Sequence, residues 1–348
     1  MAHSVLVSGG AGYVGSHVCL ALAEAGFEPV AYDNLSNGHA DFVRWGALEQ
    51  GDIRDPSRLD EVLAKHRPIA VVHCAAVTEV ERSLADPGAF YDINVRGSVT
   101  LFEAARRQKI SHLVYSSTCA VYGNPAYQPL DEAHPLKPVS PYGRSKLMVE
   151  QILSDYSDHA GLRSVSLRYF NAAGADAAAR TGERRARETH VVPLALKAGI
   201  EGGAPFRLFG DDYDTRDGSS IRDYVHVMDL ADAHVRALDY LISGGDTVAL
   251  NLGTGAGTSV KELLALIQSV TGCDFEVETS ARRPGDPASL VANNRLAKQV
   301  LDWAPQRTLT DIVESAWNWS RQEASRPPAI APGSGSARGA ERLETGPA

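Results

Sequence analysis

The chain has 348 residues, and its 43 acidic residues outnumber its 34 lysines and arginines, which gives a formal charge of −9 at pH 7. That balance argues against binding of nucleic acid by bulk charge, and the absence of a long apolar run argues against a membrane protein. The four cysteines (Cys19, Cys74, Cys119 and Cys273) are far apart and the histidines are scattered. We therefore expect no disulfide, no metal site and a cytoplasmic location.

The first part of the chain alternates short apolar runs with amphipathic stretches. The runs Val5–Val7, Pro29–Tyr32, Ile69–His73 and His112–Tyr115 have the nearly continuous hydrophobicity of strands that are covered on both faces. Repeated strand-then-helix order predicts an α/β fold with a doubly wound parallel sheet of the Rossmann type. The predicted helices are Gly12–Gly26, Pro56–His66, Asp92–Gln108 and Pro141–Ser157.

After about Asn171 the pattern changes to shorter and more mixed elements. Residues 174–188 are polar and rich in alanine and arginine, which predicts a flexible loop. The pattern predicts a strand at Val248–Leu252, an apolar segment at Phe206–Gly210, and helices near Val192–Gly199, Asp229–Leu241, Ser259–Val270 and Thr310–Arg321.

These changes predict two domains and a tail. The first comprises residues 1–171, with 224–250 returning to it, and the second is a smaller mixed α/β substrate domain of residues 172–223 and 251–321. The last 24 residues, 325–348, contain 16 Ala, Gly, Pro or Ser. Such a segment buries too little apolar surface to fold, so we expect a disordered tail.

A glycine-rich turn between the first strand and the first helix predicts a dinucleotide site. Such glycines let the backbone approach a pyrophosphate at the helix N-terminus. Asp33 ends the second strand, 24 residues after Gly9, where a carboxylate can bind both ribose hydroxyls of an adenosine. Residues 33–39 contain no Arg or Lys for a 2′-phosphate, which favours NAD over NADP. The predicted contacts are Gly9, Gly12, Tyr13, Val14, Gly15, Asp33, Asn34, Asp52 and Ile53, although Asp52 alone could be a helix cap.

Three side chains downstream predict proton-transfer chemistry. Thr118 ends the fifth strand at the edge where open α/β sheets bind their ligands. Pro141 suits the first turn of a helix, so Tyr142 and Lys146, four residues apart, share one face. We expect the ammonium and a cationic nicotinamide to lower the pKa of the phenol, so that it acts as a base near neutral pH. A surface pair is the alternative interpretation of this spacing.

Several longer stretches match one known family. They are Val7–His17, Ser140–Gln151, Arg168–Asn171, Phe209–His234 and Arg282–Asp286, and Ile221–Val227 is the most specific. On these stretches the chain resembles the extended short-chain dehydrogenase/reductase family, and within it the UDP-glucose 4-epimerase group. The resemblance runs from Ser4 to about Trp319.

The resemblance implies an isomerase that interconverts UDP-glucose and UDP-galactose. In this family bound NAD takes the hydride from C4 of the sugar while Tyr142 takes the 4-hydroxyl proton, and Thr118 bonds the hydroxyl. The 4-keto sugar then rotates and receives the hydride on its other face. The resemblance also implies a homodimer. It assigns Asn94 to the nicotinamide side and Tyr169 to the sugar or the nicotinamide. It assigns to the UDP-sugar Thr118, Asn171, His190, Phe209, Arg222, Arg283, Asp286 and Leu290, with Leu290 facing bulky sugar substituents.

One segment departs from the family pattern and several activities stay open. Residues 77–83 read Val-Thr-Glu-Val-Glu-Arg-Ser where the family commonly has Val-Gly-Glu-Ser, which leaves the sugar unsettled. A 4-epimerase of UDP-xylose and UDP-arabinose, or of UDP-N-acetylglucosamine, would use the same chemistry. A 4,6-dehydratase would have an Asp-Glu pair after Thr118, where this chain has Cys119 and Ala120, and a decarboxylase would also need a carboxylate there. An NAD-binding regulator would have no use for Thr118, Tyr142 and Lys146 together.

Overall fold

The structure is a computed structural model that describes residues 3–201, 204–283 and 285–326. Within these ranges no helix is long and apolar enough to cross a bilayer. The tail predicted over 325–348 lies outside the described residues, except for its first two positions.

Seven strands form one parallel sheet in the order β11-β6-β5-β4-β1-β2-β3. The order reverses beside β1, and this is the position where open α/β sheets bind ligands at their carboxyl ends. The fourteen strands of the described residues are β1 (Ser4–Ser8), β2 (Glu28–Asp33), β3 (Ala47–Gln50), β4 (Ala70–His73), β5 (His112–Thr118), β6 (Arg163–Tyr169), β7 (Asn171–Ala173), β8 (Phe206–Phe209), β9 (Ile221–Arg222), β10 (Tyr224–His226), β11 (Val248–Leu252), β12 (Thr258–Ser259), β13 (Val277–Ser280) and β14 (Ser289–Leu290).

Helices cover both faces of this sheet, which confirms the predicted doubly wound fold. The helix predicted over Asp92–Gln108 differs in one respect, because a π-helical turn at Tyr91–Arg96 precedes its α-helical part. The α-helices of the described residues are α1 (Tyr13–Glu24), α2 (Pro56–His66), α3 (Val80–Ala85), α4 (Pro87–Phe90), α5 (Gly97–Arg107), α6 (Pro141–Ala160), α7 (Val191–Glu201), α8 (Val227–Ile242), α9 (Val260–Thr271), α10 (Arg295–Leu301) and α11 (Leu309–Ala324).

The apolar core lies in two layers against the sheet. Leu22 of α1 and Leu238 of α8 pack on one face, and Leu63, Phe102 and Leu153 of α2, α5 and α6 pack on the other. Because alternate residues of each strand point to opposite faces, both layers need apolar strand residues. This requirement explains the continuous apolar runs in the sequence.

A third cluster forms the core of the smaller region. It joins β8, α7, α9 and α11, with Phe206, Leu196, Leu263 and Val313 among its buried members. Helix α10 and Trp303, which lie within residues 251–321 of the predicted second domain, pack into the core of the large sheet. The indole of Trp303 donates to the carbonyl of Asp229 in α8 at 2.9 Å, which ties this segment to the first region.

Candidate active site

The glycine turn after β1 brings backbone segments very close together. Gly9 has a φ of +74°, and a Cβ there would lie 2.6 Å from the backbone nitrogen of Ala75. A Cβ at Gly15 would lie 2.0 Å from the carbonyl oxygen of Gly9. Helix α1 begins directly after Gly12 without a side-chain cap, so its first amides are available to an anion. This is a cradle that fits a dinucleotide pyrophosphate, because only backbone lines it.

Asp33 lies at the carboxyl end of β2 beside this turn. Its carboxylate accepts hydrogen bonds from the backbone amides of Ala11 at 3.0 Å and Leu35 at 2.8 Å. Burial raises the pKa of Asp33, although both amides oppose this shift. The carboxylate therefore holds the glycine turn in place, and its contact with a ribose stays a prediction.

A groove extends from the glycine turn along the carboxyl ends of β1, β2, β3 and β4. Asn34 and Asp52 are joined by a 3.0 Å hydrogen bond, and Arg54 forms a 2.7 Å ion pair with Asp52. Three predicted contacts, Tyr13, Val14 and Gly15, do not line the groove, and the hydroxyl of Tyr13 donates to the carbonyl of Gly174 at 2.7 Å. The predicted residues that line it are Gly9, Gly12, Asp33, Asn34, Asp52 and Ile53.

Thr118 and Tyr142 are both buried, and neither lines the groove itself. The hydroxyl of Thr118 accepts from the amide of Ala120 at 3.2 Å. Tyr142 lies in the first turn of α6, which begins at Pro141 and is capped by Ser140. Burial raises the pKa of Tyr142 to about 12, and the Thr118 hydroxyl acts in the opposite direction. Tyr142 also belongs to a small apolar cluster with Val77, which lines the groove.

Lys146 follows Tyr142 by one turn of α6, and its ammonium contacts β5. Its ammonium donates to the carbonyl of Ser116 in β5 at 2.7 Å and lies 4.7 Å from the centre of the Tyr115 ring. Burial lowers the pKa of Lys146 to about 8. In this structure burial dominates the pKa of Tyr142, and Arg185 is a cation that opposes the shift. The expected lowering of that pKa by Lys146 and a bound nicotinamide stays a prediction.

Two further predicted residues adjoin these groups. Tyr169 is the register partner of Thr118 across β5 and β6, and burial raises its pKa. Asn94 lies in the π-helical turn and is 1% exposed. Its side chain accepts from the amide of Val77 at 2.9 Å and donates to Ser145 at 3.0 Å. Asn94 thus joins the groove wall to α6.

Two short strands of the second region hold the predicted residues Arg222 and Leu290, and Asp286 lies close to Arg222. Leu290 of β14 is the register partner of Arg222 in β9. The Arg222 guanidinium donates to the carbonyls of Ile221 at 2.8 Å and Pro287 at 3.0 Å, and lies 3.7 Å from the carboxylate of Asp286. Half-buried Leu290 packs on a cluster that contains Cys119, the residue after Thr118. This packing places the Arg222 strand beside the carboxyl end of β5.

Aromatic and charged contacts hold the remaining predicted residues. The guanidinium carbon of Arg283 lies 4.0 Å from the centre of the Phe209 ring. Asn171 is half-buried at the start of β7, and its amide donates to the carbonyl of Asp223 at 2.9 Å. Nδ1 of His190 lies 2.7 Å from Oε1 of Glu183. Burial opposes protonation of His190, but Glu183 outweighs it and raises the pKa of the imidazole.

Glu183 and Arg185 were not identified as site residues from the sequence. Arg185 donates to Oε1 of Glu183 at 2.7 Å, and the Glu183 side chain is only 7% exposed. No motif marks these residues, and the only signal was the charged composition of the loop. Glu183, Glu188 and His190 bring three potential metal-ligating atoms within 4.8 Å of one another, but Glu183 is already paired with Arg185 and His190.

The loop predicted over 174–188 contains no helix or strand, but its contacts anchor it. Arg184 pairs with Asp41 at 3.0 Å and with Glu323 of α11. Its guanidinium carbon lies 4.6 Å from the centre of the Phe42 ring and 5.7 Å from that of the Trp319 ring. We call these five residues the Arg184 junction. It joins the loop after β2, the 174–190 loop and the last helix.

Known proteins with this arrangement are similar over nearly the whole chain. A UDP-glucose 4-epimerase of Rhizobium meliloti (strain 1021) is 59% identical over 317 residues, which are 91% of this chain and 97% of the relative. The crystal structure of a UDP-glucose 4-epimerase from Brucella ovis in complex with NAD has a TM-score of 0.89 and 44% identity, and the match covers 92% of this chain and 99% of that one. A UDP-glucose-4-epimerase from Stenotrophomonas maltophila, with bound NAD and formylated UDP-arabinopyranose, has a TM-score of 0.90, 38% identity and coverage of 92% and 99%.

The model of one protein family matches residues 5–253. That range contains the glycine turn, Asp33, Thr118, Tyr142 and Lys146, the groups that meet at the carboxyl ends of the central strands. Sequence, fold and the position of these groups therefore agree, and the chain belongs to the NAD dependent epimerase/dehydratase family.

Proposed function

We propose that this protein is an isomerase that interconverts UDP-glucose and UDP-galactose with bound NAD. The observation that carries the proposal is the position of Thr118, Tyr142 and Lys146 at the end of β5, beside a groove that holds Asp33. The Rhizobium meliloti relative is named for this activity, and the Brucella ovis structure contains NAD.

The side chains divide the chemistry among them. NAD, when bound, supplies the acceptor and donor for the hydride at C4 of the sugar. Tyr142 accepts the proton of the 4-hydroxyl and returns it, while the Thr118 hydroxyl holds the reacting oxygen by a hydrogen bond. Lys146 fixes the end of β5 through the Ser116 carbonyl.

The diphosphate must stay bound while the keto sugar rotates. Arg222 and Arg283 are cations from separate segments that can hold the two phosphates. Arg222 is fixed by two backbone carbonyls and Arg283 lies over Phe209. Asn171, His190, Phe209 and Asp286 complete the proposed nucleotide contacts, and Asn94 and Tyr169 the proposed cofactor contacts.

The high pKa of Tyr142 gives this proposal a pH signature. A phenol with a pKa of about 12 is protonated at neutral pH, whereas a general base must be deprotonated before it accepts a proton. We therefore expect kcat/KM to rise between about pH 6 and about pH 9. A rate that falls over this range in a protein that stays folded would contradict the role of Tyr142.

The direct test is incubation with UDP-galactose, UDP-xylose and UDP-N-acetylgalactosamine without added NAD, with the products separated by chromatography. We expect UDP-galactose to give UDP-glucose, because the cofactor is regenerated in each cycle and stays bound through desalting. Conversion of UDP-xylose alone would favour the pentose epimerase. No conversion of any sugar would favour an NAD-binding regulator.

We further propose that the protein is a homodimer. Leu84 of α3 is 57% exposed and Met148 of α6 is 41% exposed, and these helices contact each other. Burial of such side chains against a second copy would remove apolar surface from water. Light scattering should give twice the chain mass, and Leu84→Glu should shift it toward the monomer.

A cytoplasmic location is also proposed. All four cysteines are unpaired, as is usual for proteins in a reducing compartment. Cell fractionation should recover the protein with cytoplasmic markers.

A further inference from the structure

A chain of buried polar groups runs beneath the groove from β1 to α5. Ser8 at the end of β1 bonds Nδ1 of His73 in β4 at 2.7 Å, and Nε2 of His73 bonds the hydroxyl of Ser98 at 2.8 Å. The Ser98 hydroxyl in turn donates to the carbonyl of Asn94. All four residues are at most 1% exposed, so water does not compete for these bonds.

The proton positions along this chain follow from its last bond. A serine hydroxyl has one proton, and Ser98 uses its proton on the Asn94 carbonyl, which can only accept. Ser98 must therefore accept from His73, which places a proton on Nε2. Burial lowers the pKa of His73 to about 3, and Lys146 adds to the shift. The ring is thus neutral, and its bare Nδ1 accepts from Ser8.

The Asn94 end of this chain of buried polar groups lies close to the reacting groups. The Asn94 amide bonds both the nitrogen and the carbonyl of Val77, at 2.9 and 3.0 Å, and Val77 lines the groove. The same amide donates to Ser145 at 3.0 Å, and Ser145 donates to the carbonyl of Tyr142 at 2.7 Å. The near end, Ser8, directly precedes Gly9.

The π-helical turn places Asn94 at this junction. Such turns are rare within helices and are frequent at functional sites. The turn ends at Arg96, just before α5 presents Ser98 to the Asn94 carbonyl four residues earlier. Asn94 thus contacts Ser98 of the buried chain through its backbone carbonyl, and it contacts the groove wall and α6 through its side chain.

We propose that His73 and Ser98 are positioning residues, which hold the glycine turn, the groove wall and the Tyr142 helix in fixed relative positions. His73 has this positioning role as the neutral Nε2-protonated tautomer, and aromatic rings lie on two sides of it. The centres of the Phe102 and Tyr115 rings lie 5.9 and 5.5 Å from that of His73. The kinetic consequence rests on the proposed function, whereas the tautomer does not.

Two variants of Ser98 with the same shape test the role. Threonine keeps a hydroxyl that can bond the carbonyl four residues earlier in a helix, whereas valine has none. We expect Ser98→Val to lower kcat about 10- to 100-fold relative to Ser98→Thr, with similar KM for UDP-galactose. NAD retention after desalting should also be lower in Ser98→Val. Equal kcat and equal retention in the two variants would overturn the proposal.

Nitrogen NMR of the unmodified protein provides a test that does not depend on either variant folding or on turnover. We expect the histidine signal that is lost in His73→Gln to have the Nε2-protonated pattern and to stay neutral down to about pH 5. A protonated Nδ1 in that signal, or an imidazolium at neutral pH, would overturn the proposal. If the parent protein converted no UDP-sugar, the proposed function would fail, while the tautomer and the NAD retention of the Thr and Val variants would still decide this inference.

Discussion

The cofactor side and the substrate side of the site are built differently. The cofactor side is formed at the ends of parallel strands of four to seven residues, which lie along one edge of the large sheet. The substrate side combines two- and three-residue strands with charged loops from distant parts of the chain. Backbone hydrogen bonds fix the first side, whereas side-chain contacts hold much of the second. We therefore expect substitutions on the first side to affect cofactor binding and chemistry, and those on the second to affect substrate choice.

The largest effect is expected where the two sides meet, at Tyr142. Tyr142→Phe removes the proposed base and should lower kcat about 10²- to 10⁴-fold with UDP binding nearly unchanged. Tyr156→Phe is the matched control in the same helix, because its hydroxyl bonds Glu103 at 2.7 Å away from the groove. Turnover rates and UDP titrations of both variants check this prediction. Near-native turnover of Tyr142→Phe would contradict the assignment.

The next largest effect is expected on the cofactor side, at Asp33. Asp33→Ala removes a charge-assisted contact to ribose, worth about 1.5–3 kcal/mol, and also the acceptor of the Ala11 and Leu35 amides. The dissociation constant for NAD should rise about 10- to 100-fold. Asp60→Ala, which breaks an exposed 2.9 Å ion pair with Arg107, should leave it unchanged. Calorimetric titration with NAD measures both, and equal affinities would refute the role of Asp33.

On the substrate side, variants of two adjacent arginines distinguish a phosphate-binding role from a structural role. Arg283 lies over Phe209, whereas Arg282 pairs with Asp212 at 2.6 Å and lies over Tyr213. Arg283→Gln should weaken UDP binding about 10-fold, the usual effect of losing a hydrogen bond to a charged group. Arg282→Gln should change it much less. A larger UDP dissociation constant for Arg282→Gln than for Arg283→Gln would exclude Arg283 as a phosphate ligand.

The smallest effect is expected at Leu290 and concerns the size of the sugar. If Leu290 faces the sugar, as the resemblance implies, its branched side chain would leave little room for an N-acetyl group, whose buried amide would also lack a partner, at a cost of about 1–3 kcal/mol. The parent protein should prefer UDP-galactose to UDP-N-acetylgalactosamine by about 10-fold or more in kcat/KM. Leu290→Ser should reduce this preference. Because Leu290 also packs on the Cys119 cluster, an unchanged preference would show that it is only a core residue.

The sequence predicted the cofactor side well because its positions are local. Apolar runs locate the strand ends, and the residues after them, such as Asp33 and Thr118, then fall along one edge of the sheet. The fold class and the NAD dependence are confirmed. Roles of single residues, including those of Asp33 and Thr118, stay predictions.

The sequence could not predict which partner a long side chain chooses. A four-residue spacing places Lys146 and Tyr142 on one helix face, but the ammonium bonds a carbonyl of β5, a strand about 30 residues earlier. Glu183 and Arg185 were missed for a similar reason, since their burial depends on how the 174–190 loop folds against α1. The packing of Trp303 on the large sheet likewise depends on α8, a helix distant in sequence.

The Arg184 junction has a consequence for synthesis on the ribosome. Asp41 is made early, but its partner Arg184 follows 143 residues later. Glu323, which also pairs with Arg184, comes later still, and so does Arg326, which pairs with Asp41 from outside the junction. A nascent chain thus has the glycine turn and Asp33 long before the loop beside them acquires its last ion pairs. The loop after β2, which supplies Ser36, Asn37 and Gly38 to the groove, can therefore form its last ion pairs only after α11 has been synthesised.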